Sequence, residues 1–259
     1  MFLAIDVGNT QSTLGLFDDE GQLAKGWRMT SNASDTSDML HARLFSYFLK
    51  DGYELADVSA AAVASVVPAL TRAWWRCLGD LLGRSPLLVN ATHDYGMPID
   101  MPNPRTVGAD RIANAIATRN AYGSPVIVVD FGTATNIDVV DGRGAYRGGA
   151  ISPGLMLSAN ALFSKAAKLA SIPVEAPEHA LGDTTETAMQ SGLVIGAAAQ
   201  AEGLVSRMKA ELGIEQAKVI GTGGLARTVS RATDLFDAVD PTLTLRGIRE
   251  IWLQQHGGA

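Results

Sequence analysis

Phe2-Leu3-Ala4-Ile5-Asp6-Val7-Gly8-Asn9-Thr10 and Val126-Ile127-Val128-Val129-Asp130-Phe131-Gly132-Thr133-Ala134-Thr135 are two versions of one pattern, about half a chain apart. In each, an apolar run reaches an aspartate and then a turn built from Gly and hydroxyl or amide residues. A second apolar-rich stretch follows, residues 13–17 and 136–140. A second turn comes next, Asp18-Asp19-Glu20-Gly21 or Asp141-Gly142-Arg143-Gly144. Short apolar runs bounded by turn residues predict buried strands paired as hairpins. The tip of such a hairpin offers backbone N–H groups, hydroxyls and one carboxylate, which suits a metal-bound phosphate. Two copies in one chain predict an α/β protein of two duplicated domains with a phosphoryl-transfer cleft between them.

Composition fits that expectation and narrows the rest. The chain has 259 residues, 47% hydrophobic and 19% charged, enough for a substantial core. A formal net charge of −6 argues against a general nucleic-acid binder. Cys77 is the single cysteine, so neither an intramolecular disulfide nor a cysteine zinc site is expected. Asp6 interrupts the first apolar run and no basic segment precedes it, so no signal peptide is expected. The apolar window 58–70 is too short to span a bilayer. A reduced cytoplasm is the expected location.

Between the two hairpins, residues 22–29 read as a third strand and 38–49 as a helix. Residues 60–67 read as a buried strand closed by Pro68, 69–82 as a helix carrying Trp74 and Trp75, and 87–89 as a short strand. The Pro-rich segment 97–104 cannot be helix interior. A helix is expected from Gly108 to about Tyr122, ended by Gly123 and Pro125, and the domain crossover is placed on it, giving domains 1–115 and 116–259. In the second half, helices are expected over 155–169 and, as one or two pieces, over 185–212. Val219-Ile220-Gly221-Thr222-Gly223-Gly224 reads as a strand entering a Gly-rich turn.

Three segments carry chemistry. Asp6, Gly8, Asn9 and Thr10 supply a carboxylate, a close backbone approach and hydrogen-bonding side chains, the parts a phosphate donor needs. They are also good turn formers on their own. Asp130, Gly132, Thr133 and Thr135 repeat the set, with Thr135 also placed to begin the returning strand. No G-x-x-x-x-G-K-[ST] occurs, which excludes a P-loop. Gly108-Ala109-Asp110-Arg111 opens a helix, and two readings of it stand. Asp110 is either an acidic residue favoured by the positive helix end or a general base for a substrate hydroxyl, with Arg111 clamping an anion. His41, His93, His179 and His256 are scattered without metal-ligand spacing.

DVGNT at 6–10, GADR at 108–111, DFGTAT at 130–135, GGAISPGL at 148–155, TAMQSG at 187–192, GTGG at 221–224 and LTLRGI at 243–248 are individually short. As an ordered set spanning nearly the whole chain, they resemble the type III pantothenate kinases of the acetate and sugar kinase, heat-shock protein 70 and actin superfamily. The resemblance implies two ribonuclease H-like domains and ATP-dependent phosphorylation of pantothenate, the first step of coenzyme A synthesis. It also implies Mg²⁺ with ATP, a monovalent cation (K⁺ or NH₄⁺) and a homodimer with no membrane or nucleic-acid partner. By that resemblance, Asp6, Val7, Gly8, Asn9, Thr10, Gln11, Ser12 and Thr13 cradle the ATP phosphates, with Asp6 also serving Mg²⁺. Thr133 contacts ATP, Asp130 holds the monovalent cation and Asp110 accepts the proton. Met101, Gly108, Ala109, Asp110, Arg111 and Thr185 fall at pantothenate-contacting positions.

Two departures stand out. Met101 occupies the place of a family Tyr, and Gly182-Asp183-Thr184-Thr185 stands where the family has G-K-N-T. Two alternatives to pantothenate phosphorylation follow, a kinase of the same fold acting on another small hydroxylated substrate and a non-catalytic nucleotide-binding regulator.

Overall fold

The computed structural model describes residues 1–165 and 170–256. In chain order the first elements are β1 (Phe2–Val7), β2 (Gln11–Phe17), β3 (Leu23–Thr30), α1 (Ser37–Asp51), β4 (Ala60–Ser65), α2 (Pro68–Leu82), β5 (Leu87–Val89) and α3 (Ala109–Tyr122). They are followed by β6 (Val126–Phe131), β7 (Ala134–Val140), β8 (Tyr146–Pro153), α4 (Leu155–Lys165), α5 (Thr185–Gln190), α6 (Gly196–Leu212), β9 (Lys218–Thr222), α7 (Ala226–Val229), β10 (Ala238–Val239) and α8 (Leu243–His256). The expected helix over 155–169 is α4, and its residues 166–169 lie outside the described residues. The expected stretch 185–212 is α5 and α6 joined by one π turn, Ser191–Ile195.

Two five-stranded sheets, ordered β3-β2-β1-β4-β5 and β10-β9-β6-β7-β8, show the duplication directly. Read from the edge hairpin, each runs strand three, two, one, four, five. In each, the first strand pairs antiparallel with the second and parallel with the fourth. Asp6 pairs with Thr13 while Asp130 pairs with Asn136, so the second hairpin tip is one residue shorter. The central strands are apolar because both their faces are covered. Leu3, Ala4, Ile5 and Val7 are fully buried, as are Ile127 and Val129. Each such Leu, Ile or Val contributes roughly 1.5–3 kcal/mol, and the half-buried Asp6 and Asp130 stand one residue before each strand ends, at buried Val7 and Phe131.

The chain divides into two compact units. One comprises Met1–Gly96, Asn103–Ala117 and the segment from Thr244, the other Met97–Pro102 and Thr118–Leu243. The boundary expected between residues 115 and 116 falls on α3, the helix in which this division also runs, while the C-terminal segment rejoins the first unit. In that unit α1 and α2 cover the sheet through Leu40, Leu44, Phe48, Leu70, Trp74 and Leu78. Of the two tryptophans, Trp74 is buried and Trp75 is exposed. The second core joins β6, β7 and β9 to α4, α6 and α7 through Val129, Ile137, Ala159, Ala198 and Val229.

α8 anchors α3. A Cβ on Gly247 would lie 2.0 Å from the Ala113 carbonyl oxygen, so only glycine permits this close helix approach. Beside it, Thr244 Oγ1 donates to Asn114 Oδ1 at 2.7 Å. The far end of α8 packs Trp252 against Phe2, with ring centroids 5.1 Å apart and planes tilted by 46°. The LTLRGI segment therefore braces the helix whose first turn carries Asp110.

Candidate active site

Each hairpin tip is closed by its own backbone. Gly8 N–H donates to Gln11 O at 3.0 Å, and Gly132 N–H to Ala134 O at 3.1 Å. Asn9, Thr10 and Gln11 are exposed and Asp6 and Thr13 half-buried, so these side chains are open to a ligand. Val7 and Ser12 are different. Val7 is a core residue, and buried Ser12 sits 2.9 Å from Ser31, hydroxyl to hydroxyl. Their main chains are paired on both sides within the sheet.

Val66 ties this tip to the start of α3. Its N–H donates to Val7 O at 3.1 Å, and its Cγ1 lies 3.6 Å from where a Gly108 Cβ would be. The Asp6–Gln11 turn and Gly108–Arg111 thus gather at the C-terminal ends of the parallel strands β1 and β4, where open α/β sheets place their ligands. Val66 was not among the expected site residues, since an aliphatic after a buried strand carries no chemical signal in sequence.

Asp110 folds back over Gly108. Its Oδ1 accepts from Arg111 N–H at 2.9 Å and would sit only 2.5 Å from a Cβ on Gly108. Burial pushes the Asp110 carboxyl above its ordinary value, against the opposing pull of the Arg111 N–H and guanidinium. A carboxylate made more basic by desolvation is suited to accepting a proton near neutral pH. Ala109 beside it is buried, leaving its main chain as the available contact.

The remaining expected residues belong to the second unit. Asp130 is half-buried at the end of β6, and Thr133 is exposed on the tip. Gly154 packs on that tip, its N–H donating to Thr133 O at 3.1 Å. Gly223, at φ +90°, leaves the space against which Asp130 rests, because a Cβ there would be 2.4 Å from Asp130 Oδ1. Met101 lies over Gly148, its sulfur 3.5 Å from where that residue's Cβ would project.

Thr185 is the exposed first residue of α5. Thr184 caps that helix by accepting from Thr187 N–H at 3.1 Å, and Asp183 Oδ1 accepts from the Thr187 hydroxyl at 3.2 Å. The departure at 183–184 thus keeps a good N-cap, since Thr and Asn both serve that position.

The donor set fits a nucleotide-borne metal. Among the described residues no group of three or more His, Cys, Asp or Glu is placed to hold a metal ion. Mg²⁺ arriving on ATP needs only one or two carboxylates, with phosphate and water completing its shell, and Asp6, half-buried beside the exposed tip, is a carboxylate of the kind such an ion takes.

Comparison with known proteins decides the family. The type III pantothenate kinase family profile matches residues 2–207. A type III pantothenate kinase of Moorella thermoacetica is 42% identical over 252 residues, covering 97% of this chain and 98% of that protein. The chain belongs to the type III pantothenate kinase family. Membership makes it a phosphotransferase. The type III pantothenate kinase of Thermomicrobium roseum is likewise 42% identical, over 256 residues, covering 99% of this chain and 98% of its own. Among solved structures, component A of the (R)-2-hydroxyglutaryl-CoA dehydratase of Acidaminococcus fermentans aligns with a TM-score of 0.58 at 15% identity, covering 100% of this chain and 99% of that one. That likeness concerns the fold alone, two duplicated domains each built on a mixed five-stranded sheet. Among the described residues no helix is long and apolar enough to cross a membrane.

Proposed function

We propose that this member transfers the γ-phosphoryl group of ATP to the primary hydroxyl of pantothenate, giving 4′-phosphopantothenate for coenzyme A synthesis. The observation that carries the reading is the Val66 junction, which gathers the first hairpin tip and Asp110 at one end of one sheet. The exposed turn of the first hairpin, with the main-chain N–H groups of residues 9 and 10 and the Asn9, Thr10, Gln11 and Thr13 side chains, holds the donor phosphates, and Thr133 contributes a hydroxyl. Asp6 holds Mg²⁺ directly or through water, and the ion supplies charge neutralisation on the phosphate oxygens. Asp130 serves a monovalent cation.

Asp110 accepts the proton of the acceptor hydroxyl as the hydroxyl oxygen attacks phosphorus. Gly108, Ala109 and Arg111, together with Met101 and Thr185, orient the acceptor. An assay of ADP release with MgATP and K⁺, run with and without pantothenate, tests this. ADP formation that requires pantothenate is expected. Turnover independent of pantothenate, or none with any cation, would overturn the reading.

A homodimer working in a cytoplasmic setting belongs to the same proposal. Support comes from apolar side chains left exposed on the second unit, Ile151 at 64%, Leu157 at 53% and Met156 at 41%. Exposed large apolar groups are a feature of association surfaces. Sedimentation equilibrium at micromolar concentration is expected to return twice the chain mass of 27.2 kDa. A monomer mass would remove the dimer.

A further inference from the structure

In the second unit the segment Met97–Pro102 lies against β8 where that strand bulges. Between the pairs Asp138–Gly149 and Val140–Tyr146, a single residue of β7 faces two of β8, Arg147 and Gly148. Gly148 takes φ +89° there, a conformation open to glycine. Bulges of this kind re-aim side chains beside ligand sites. Tyr146, just before the bulge, is fully buried, and its hydroxyl donates to Asp138 Oδ1 at 2.6 Å. Its main chain grips the segment twice, with its N–H donating to Pro98 O at 2.8 Å and its carbonyl accepting from Asp100 N–H at 2.9 Å.

An ion-pair network closes over the same place. Buried Asp141, in the turn after β7, accepts from Arg143 N–H at 2.9 Å and Ala145 N–H at 3.1 Å through Oδ1. Its Oδ2 takes the Arg143 and Arg147 guanidinium groups, each at 3.1 Å. Against the cost of its burial, these N–H groups and forks hold the Asp141 carboxyl below its ordinary value. Both arginines also reach Asp100 Oδ2, Arg143 Nη2 at 3.1 Å and Arg147 Nε at 3.5 Å. Two guanidinium groups thus join a carboxylate fixed in the β7–β8 turn to one carried by the segment. The next residue, Met101, lies over Gly148, with Sδ and Cε 3.5 and 3.6 Å from where a Cβ would project.

We propose that Asp100 is a positioning residue for the acceptor, clamped between Arg143 and Arg147 so that it seats Met101 on the β8 bulge. This rests on the acceptor reading of the previous subsection and adds to it the device that holds one of the acceptor's contacts. A methionine has three rotatable bonds and adapts to whatever space it meets, so it offers a defined contact only where its main chain is held. The two main-chain bonds to Tyr146 fix residues 98 and 100, and the network adds a charge-assisted hold one residue before Met101. Asp100 acts through Met101 and takes no part in proton transfer, so its loss weakens acceptor binding and leaves the chemical step intact.

The test measures kcat and the KM values for pantothenate and MgATP in the full chain, in Asp100→Asn, in Met101→Ala and in the double variant. Asp100→Asn is expected to raise the pantothenate KM about three- to tenfold, the scale of two exposed charge pairs lost together. Its kcat and MgATP KM should stay within about twofold of native, the pattern of lost acceptor binding alone. Met101→Ala should raise the same KM, and Asp100→Asn should then add less than about twofold, because the two residues act as one unit. Arg147→Gln cuts the same clamp from its other side and carries the test if Asp100→Asn does not fold. An unchanged pantothenate KM in Asp100→Asn overturns the proposal, as do fully additive effects of the two substitutions. A fall in kcat at constant KM overturns it in favour of a role in the chemical step, and loss of the dimer mass overturns it in favour of a subunit contact. Failure of the unmodified protein to phosphorylate pantothenate defeats the acceptor reading itself, and this proposal with it.

Discussion

Replacing Asp110 by Asn is expected to lower kcat by about 10²–10⁴-fold, the range for loss of a positioned general base, without lowering the melting temperature. The two halves of this expectation have separate physical origins. Asn keeps the shape of the side chain, the oxygen that accepts from Arg111 N–H at 2.9 Å and the packing over Gly108. What it removes is the ability to take a proton. Burial raises the folded-state pKa of Asp110 above its ordinary value, so the unfolded chain gives up this proton at lower pH than the folded one.

Between the two pKa values the folded state binds more protons, and stability contributed by this group falls as pH rises through that window. Above it the native enzyme holds a desolvated charge that the Asn variant lacks. The variant should therefore melt at the same or a higher temperature at pH 8. Activity has the opposite dependence. Native kcat/KM should fall on the acid side as Asp110 protonates, beginning at a higher pH than an ordinary aspartate would give, and the residual activity of the variant should lose that limb. A variant within threefold of native kcat would show that Asp110 is only an acidic residue at a helix start. A large fall in melting temperature would show that it is structural.

Much of the fold could be read from the sequence because its decisive signals are local. The runs Phe2–Ile5 and Val126–Val129 lie in buried strands that continue one residue past the aspartate, to Val7 and Phe131. Their Gly-containing tips close as tight turns. What could not be read depends on partners distant in sequence. Tyr146–Pro153, with Gly148, Gly149 and Pro153, receives no strand assignment from the sequence, yet it is the edge strand β8. Its glycine is required by contact with the neighbouring strand, since a Cβ on Gly149 would fall 1.6 Å from Ile137 O. That is the strand position where Gly signals close backbone approach and Pro is confined to an edge.

Residues 243–248 carried only a family resemblance, and their service to the first unit through Gly247 and Ala113 is a long-range contact with no local sequence signature. The site shows the same division. Asp6, Asp110 and Asp130 are candidates by their chemistry, whereas Val66 and Gly223 bear on the proposed site through position alone. Ser12 shows the reverse limit, a hydroxyl with the right chemistry whose strand register turns it into the core.

Gly223→Ala is the second substitution with a large expected effect, and it separates strain from overlap. At φ +90° an alanine is in a region that L side chains rarely adopt, which costs roughly 1–3 kcal/mol. Its Cβ would also lie 2.4 Å from Asp130 Oδ1 and 2.7 Å from the Phe131 main chain. The main chain of a central strand cannot yield, so Asp130 must turn away, with about 1–3 kcal/mol more for the crowding. For a chain of this size the combined loss corresponds to a melting temperature lower by roughly 5–20 °C.

Gly52→Ala is the matched control. Gly52 has φ +79° and nothing within 4 Å of a new Cβ, so it reports strain alone. The displacement of Asp130 has a functional consequence under the proposed role of that carboxylate. The K⁺ concentration giving half-maximal activity should rise at least tenfold in Gly223→Ala, about 1.4 kcal/mol of cation affinity, and stay unchanged in Gly52→Ala. If both variants lose the same stability, the contact between Asp130 and Gly223 is not tight. If Gly223→Ala melts early but keeps its K⁺ dependence, Asp130 is not the residue that holds the cation.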